Sequence, residues 1–340
     1  MKKSLLALAT LTAFAGVASA QSSVTLFGVV DLSAVGVKNG ANSQKLLASN
    51  QLNSNRLGFR GVEDLGGGMR AGFWIEGAMD NDTGNPGGQT WQRRSTVSLM
   101  GGFGEVRLGR DYTPSFWNYT IFDPFGTNGP GSMLNVVSTL GSGATTLVRA
   151  NNTIGYFLPA MGGIYGQVQV AAGEGVAGNK YFGGRLGYAA GPVNVAVAYG
   201  KTNQDGGLAD DYTDMNVGGS VNLGFMTLIG QYSKRDFLNR DQKTALVAAT
   251  VPFGASTLKA SYVKSSGSQG ASATDYDADQ FAFGYQYDLS KRTALYATYS
   301  MLDNDGSAAA GSRFTIGTGP AQTRGGDNSR GYAIGVRHSF

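Results

Sequence analysis

Residues able to do chemistry are few in this sequence, and their types narrow the chemistry at once. Cysteine is absent and histidine occurs once, at His338. Disulfides, thiolate metal sites and Cys–His pairs are excluded, and a Ser–His–Asp relay finds no histidine in the body of the chain. Alternate carboxylates in Asp275-Tyr276-Asp277-Ala278-Asp279 and Asp303-Asn304-Asp305-Gly306 have a spacing that suits a hard cation. The second run has Phe314 where an EF-hand needs its bidentate Glu, and solvated loops account for both. No phosphate-binding P-loop or dinucleotide glycine fingerprint occurs. An enzyme, a cofactor and a resident metal are therefore not expected. What remains is a set of arginines. Arg56 and Arg60, four apart, share one face of a strand with Gly58, while Leu57 and Phe59 take the other. Arg70 falls with Trp74 and Glu76, opposite Ala71, Phe73 and Ile75. Arg93 and Arg94 are adjacent, so on a strand only one of them can share that side. Groups of this kind attract and steer ions; they do not cut bonds.

The elements that must hold these arginines are strands. Glycine accounts for 53 of 340 residues, about 16% against roughly 7% in ordinary chains. Charged residues are 15% and aromatics 11%, where about 25% charge is usual. Period-two alternation recurs, as in Phe281, Phe283, Tyr285 and Tyr287 set against Ala282, Gly284, Gln286 and Asp288. Val193, Val195, Val197 and Tyr199 alternate in the same way with Asn194, Ala196, Ala198 and Gly200. Short breakers, such as Gly101-Gly102-Phe103-Gly104 and Ala190-Gly191-Pro192, punctuate the pattern at seven places. Longer polar segments lie near 37–52, 80–90, 112–148, 173–179, 202–212, 235–241, 266–277 and 303–328. Seven short turns and eight long loops join sixteen strands. A soluble β-sandwich also alternates but predicts loops of similar length at both ends. A strict short–long asymmetry with an even strand count instead predicts an antiparallel transmembrane barrel, apolar side to lipid and polar side to water.

The beginning of the chain reads as a processing signal. Lys2 and Lys3 precede an apolar stretch from Leu5 to Val17, and Ala18-Ser19-Ala20 supplies a small-residue cleavage site. Residues 1–20 are expected to be removed, leaving 21–340 as one barrel domain. The formal charge of +4 then loses two lysines, so a nucleic-acid partner gains no support.

Four pieces together are specific enough to suggest a family. They are Val24-Thr25-Leu26-Phe27-Gly28-Val29-Val30-Asp31, the run from Asn55 to Gly66, the run from Gly101 to Arg110, and the terminal strand from Gly331 to Phe340. In order and spacing they resemble the general porins of the Gram-negative outer membrane, in the branch of the β-proteobacteria and Neisseria. That resemblance implies a homotrimer of sixteen-stranded barrels embedded in lipid and lipopolysaccharide, each with a water-filled pore for small hydrophilic solutes and ions. It implies that Phe340 ends an assembly signal read by outer-membrane machinery, and that a second outer loop, near 80–90, latches a neighbouring subunit. It also implies that the third loop, near 112–148, folds into the barrel. There Phe122-Asp123-Pro124-Phe125-Gly126 resembles the family's Pro-Glu-Phe-Gly constriction motif, with Phe125 and Gly126 aligned and Pro124 where the Glu would stand. Asp123, with Asp111 behind it, becomes the candidate acid. The facing basic wall is expected from Arg56, Arg60, Arg70 and Arg93. Facing Val97 and Leu99 to lipid would choose Arg94, whereas alignment with the family chooses Arg93. With more basic than acidic groups at the neck, anions should pass more readily. A substrate-specific channel, using Tyr112, Phe116, Trp117, Tyr119 and Phe122 of the third loop, is the alternative.

Overall fold

Alternating side chains and frequent turns fold into one closed antiparallel sheet. The computed structural model describes residues 23–85, 90–204, 210–268, 275–305, 314–317, 319–322, 324 and 326–340. The first strands are β1 (Ser23–Asn39), β2 (Asn42–Ser49), β3 (Arg56–Gly66), β4 (Met69–Ala78), β5 (Arg94–Gly101) and β6 (Gly104–Tyr112). A helix, α1 (Pro114–Ile121), and a single 3₁₀ turn (Met133–Val136) precede β7 (Arg149–Phe157) and β8 (Ile164–Ala171). Then come β9 (Lys180–Ala190), β10 (Val193–Asn203), β11 (Tyr212–Asn222), β12 (Thr227–Phe237) and β13 (Arg240–Phe253). The sheet ends with β14 (Ser256–Ser268), β15 (Tyr276–Asp288), β16 (Thr293–Asp305) and β17 (Ser329–Ser339). β2 and β3 both pair with β1, at Leu32–Asn39 and Ser23–Val29. They are two halves of one barrel strand, so seventeen segments make sixteen staves. Closure comes from β1 on β17, finished by reciprocal 3.1 Å hydrogen bonds between Gly28 and Phe340.

The two faces of the sheet differ as the sequence predicts. On β10, Val197 and Tyr199 are about two-fifths exposed, whereas Ala196 and Ala198 are buried. The same split runs through β9, β11, β15 and β17, leaving large apolar side chains on the outer face. Among the described residues no helix is long and apolar enough to cross a membrane; the strands do the crossing. All seven predicted short turns are hairpins. The β3–β4 turn places Gly66, Gly67 and Gly68 at φ of +80°, +60° and +80°, a left-handed run that a side chain would strain.

Two of the eight expected long loops are not loops. β1 and β2 meet at a two-residue turn, Gly40-Ala41, and β12 and β13 meet at Leu238-Asn239. The strands simply run on past the apolar band, where polar residues on both faces remove the alternation that marks them. The stretch expected to be loop near 37–52 is instead strand on either side of a turn, with a break at residues 50–55 between β2 and β3. That break is held from β1. The buried Asp31 carboxylate accepts the backbone N–H groups of Leu52 at 2.7 Å and Asn53 at 2.5 Å, and the Tyr296 hydroxyl. Asn55 Oδ1 in turn accepts the Asp31 N–H at 2.6 Å. Replacing Asp31 with Ala strands those donors. Equilibrium urea unfolding in detergent or lipid should show a loss of about 2–4 kcal/mol, and an unchanged midpoint would show that the break needs no clasp.

Candidate functional site

The polar faces of β3 to β7 carry a dense charged network. Glu76, on β4, sits 5% exposed at its centre. Its Oε1 accepts the Arg93 Nε–H at 2.5 Å and lies 3.6 Å from Arg56 Nη1, while its Oε2 accepts the Trp74 indole N–H at 3.0 Å. On β6, Glu105 takes the Arg107 guanidinium bidentately, at 2.9 and 3.0 Å. Arg107 Nη1 also reaches Asp111 Oδ2 at 2.5 Å, and Arg94 Nε lies 3.9 Å from the other oxygen of that carboxylate. Arg149 donates from Nε to the Arg93 carbonyl at 2.7 Å and stacks on the Tyr112 ring. Arg60 is held differently, by aromatic faces: its guanidinium carbon lies 5.3 Å from the Phe27 centroid and 5.1 Å from that of Trp74.

Residues 113–148 pack against the polar faces of the remaining strands. Pro114 starts α1 at a position where its missing N–H costs nothing. From α1, the Tyr119 hydroxyl donates to Asp214 on β11 at 2.6 Å, beneath the fully buried Arg235 of β12, whose Nε is 3.8 Å from the same carboxylate. Burial and the neighbouring carboxylate push the Tyr119 phenol well above its ordinary value. Asn216 Nδ2 donates to the Ser115 carbonyl and Asn118 Nδ2 to that of Ala196. Gln242 receives the Ser138 N–H and donates to the Val136 carbonyl, both at 2.9 Å. Gln280 donates to the carbonyls of Gly131 and Ser132. Apolar contacts join in: Phe116, Tyr119, Met133 and Val136 cluster with Leu246, Val263, Ala278 and Leu302 of the wall. Phe122 lies on Gly218 of β11, where a Cβ would fall 2.2 Å from the ring, so the wall must lack a side chain there.

The predicted acidic motif takes a different part. Asp123 Oδ1 accepts the Phe125 N–H, and its Oδ2 accepts those of Thr127 and Met133. Gly126 N–H closes the turn onto the Asp123 carbonyl at 2.9 Å, with Gly126 at φ +59°. Asp-Pro-Phe-Gly is thus a turn organised by its own carboxylate. That carboxylate is 4% exposed, and burial raises its pKa to about 6. No other charged residue occurs between positions 113 and 148, so this loop does not present the row of carboxylates that a facing acidic wall would need. Pro124 lies in the same turn, and the Phe125 ring packs over Gly131 and Gly284. Asp111 belongs to the opposite side altogether, on β6 with Arg107 and Arg94.

Of the basic residues, Arg56, Arg60 and Arg93 meet in one neighbourhood, while Arg70 stays exposed beside the β3–β4 turn, opposite Met100 and outside the network. The choice between Arg93 and Arg94 dissolves. Arg94 begins β5 on the same face as Thr96 and Ser98, and Arg93 precedes the strand, where period two does not apply. Both guanidiniums reach the carboxylates. Arg107, Glu105 and Arg149 were not expected in the site, although Glu105, Arg107 and Asp111 alternate along one strand, a signal that parity alone carries. Phe340 is 43% exposed on the outer face at the seam with β1. Among the described residues no cluster of carboxylates or histidine could hold a metal ion. Asp279, in the suspected cation run, instead pairs with Tyr262 and Lys264.

The site's setting is shared by known proteins. A family model described as Gram-negative porin matches residues 7–307. Outer membrane porin protein 32 of Delftia acidovorans is 38% identical, with all of both chains covered. An outer membrane porin protein of Bordetella pertussis is 28% identical over 89% of this chain and 95% of its own. Among solved structures, an anion-selective porin from Comamonas acidovorans superposes with a TM-score of 0.85 at 35% identity, covering 94% of this chain and all of the other. OmpF of Salmonella typhi, at 16% identity and a TM-score of 0.70, shares the fold alone. Sequence over the whole length and a sixteen-stave barrel agree, and the chain belongs to the Gram-negative porins, passive channels of the outer membrane.

Proposed function

We propose that this porin is a general diffusion channel with a preference for anions, narrowed where residues 113–148 fold into the lumen. The observation that carries the reading is an imbalance of charge. Arg56, Arg60, Arg93, Arg94, Arg107 and Arg149 stand with three carboxylates, Glu76, Glu105 and Asp111, on one wall. The segment facing them adds a single acid, Asp123, which is buried and saturated by N–H donors. An ion entering such a neck gives up part of its hydration and meets a field set by fixed charges in a poorly screened space. The excess of guanidinium lowers that barrier for anions and raises it for cations. Small polar solutes follow the same water. Assembly as a homotrimer fits this reading and agrees with the trimer form described for the fold relative OmpT of Vibrio cholerae. Within it, the segment after β4, which folds back on β2 through Ser49 and Asp82, would latch a neighbour. Removal of residues 1–20, contact with lipopolysaccharide, and recognition of the Phe340 strand by assembly machinery complete the proposal.

Zero-current potentials across a KCl gradient in planar bilayers should have the sign of chloride preference, and the cation-selective sign would overturn the reading. Arg56→Ala should reduce the chloride-to-potassium permeability ratio by about twofold or more, and Arg110→Ala much less. Arg110 is spent on the Gln92 carbonyl and Asn151 at 2.6 and 2.5 Å, so equal effects would misplace the wall. Asp123 supplies a pH test. Because burial raises its pKa to about 6, lowering the pH through that value removes a negative charge beside the neck. The permeability ratio should therefore step further toward chloride as pH falls from 7 to 5, and Asp123→Asn should abolish the step.

A further inference from the structure

At the short-turn side of the network just described, the polar faces of β1 and β3 to β6 line an open recess of about 400 Å³. Arg60, Trp74, Met100, Arg94 and the Glu105–Arg107 pair line it. We propose that this recess binds small aromatic monocarboxylates as they pass through the channel, an inference that rests on the diffusion-channel reading above.

Its charges are not equally available. The Arg107 fork is used up by Glu105 and Asp111. The Arg60 guanidinium, in contrast, makes no hydrogen bond or ion pair with any described residue; two aromatic rings orient it without neutralising it. Arg94 lies 4.5 Å from the Trp74 centroid on the same ring system. Its Nε is engaged by Thr96 Oγ1 at 3.1 Å and lies 3.9 Å from Asp111, while its two Nη groups have no partner among the described residues. A free planar fork matches the two oxygens of a carboxylate, a geometry that a spherical halide cannot use. The rest of the lining is mixed: Thr25, Ser98 and the Arg107-bound Glu105 supply polar groups, and Val62, Trp74 and Met100 supply apolar, polarisable ones. Trp74 presents its indole, and the Met100 methyl lies over Gly72, where a Cβ would approach it to 2.9 Å. Indole and thioether both favour an aromatic ring. The space far exceeds a chloride ion and falls within the usual size of small-ligand sites. Two guanidinium forks held over the Trp74 ring, with the Met100 thioether in the same recess, fit an aryl carboxylate, its oxygens on the forks and its ring among the apolar groups.

The test uses chloride current through the full-length protein in planar bilayers, with benzoate, acetate or sulfate added at constant ionic strength. Benzoate should reduce the current saturably, with a half-blocking concentration at least about tenfold below that of acetate or sulfate. Arg60→Gln and Trp74→Leu should each raise the benzoate value by about tenfold, Arg60→Lys by less, and Arg110→Gln, outside the recess, not at all. Equal block by sulfate or acetate would make the site a general anion well and overturn ring recognition. Chloride current without benzoate block would overturn this inference alone, whereas absence of any conductance would overturn the channel reading with it.

Discussion

In the hydrocarbon of a bilayer no water can pair with a backbone amide, and each unpaired group costs several kcal/mol. The rest of this structure follows from meeting that condition with strands. A sheet spans only if it has no edge, so β1 must find β17, and the last residue, Phe340, exchanges two hydrogen bonds with Gly28 to finish the seam. Once the sheet is closed, one face of each strand meets lipid and the other meets whatever fills the barrel. Alternation is then compulsory along each stave, and it is this rule that puts Val197 outside and Ala198 inside. The same closure lets a chain without cysteine dispense with covalent staples.

How much of this was legible depended on where alternation is enforced. Within the apolar band the sequence pattern found every stave, and hairpins such as Gly191-Pro192 marked the short-turn side. Beyond the band the rule lapses. Ser43 to Lys45 are polar on both faces because water bathes both sides there. Lys234 and Arg235 are polar on both faces because Lys234 meets water while Arg235 is buried beside Asp214. Polar runs of either kind look like loops. The break at 50–55 was illegible for another reason: it exists because Asp31 reaches across from β1, and no local pattern reports a contact over twenty residues.

Parity tells which face of a strand a side chain takes and says nothing where the strand stops. Arg56, Arg60 and Glu76 lie where period two puts them. Arg93 does not, because it stands one residue before β5, free to turn toward Glu76 while Arg94 obeys the strand. The loop motif misled in a different way. Asp123 was read by type, as a carboxylate near a constriction, but type does not say which way a side chain turns. Three N–H donors of its own loop were nearer than the lumen, and a buried anion takes the donors it can reach.

Counting arginines therefore says less about a channel than asking how each is balanced. A guanidinium locked onto a carboxylate, as Arg107 is onto Glu105, projects little more than a dipole, and its effect fades within a short distance. A guanidinium steadied by a ring keeps its full charge, because the quadrupole of an aromatic face orients a cation without cancelling it. Arg60 between Phe27 and Trp74 is of the second kind. Along the wall from β3 to β7 the two kinds do different work: the paired arginines tie staves and carboxylates into a rigid lining, and the ring-held ones, Arg60, Arg149 and in part Arg94, carry the uncancelled charge. Rigidity comes from neutralisation and attraction from its absence, so one wall can supply both only by holding its arginines in two ways.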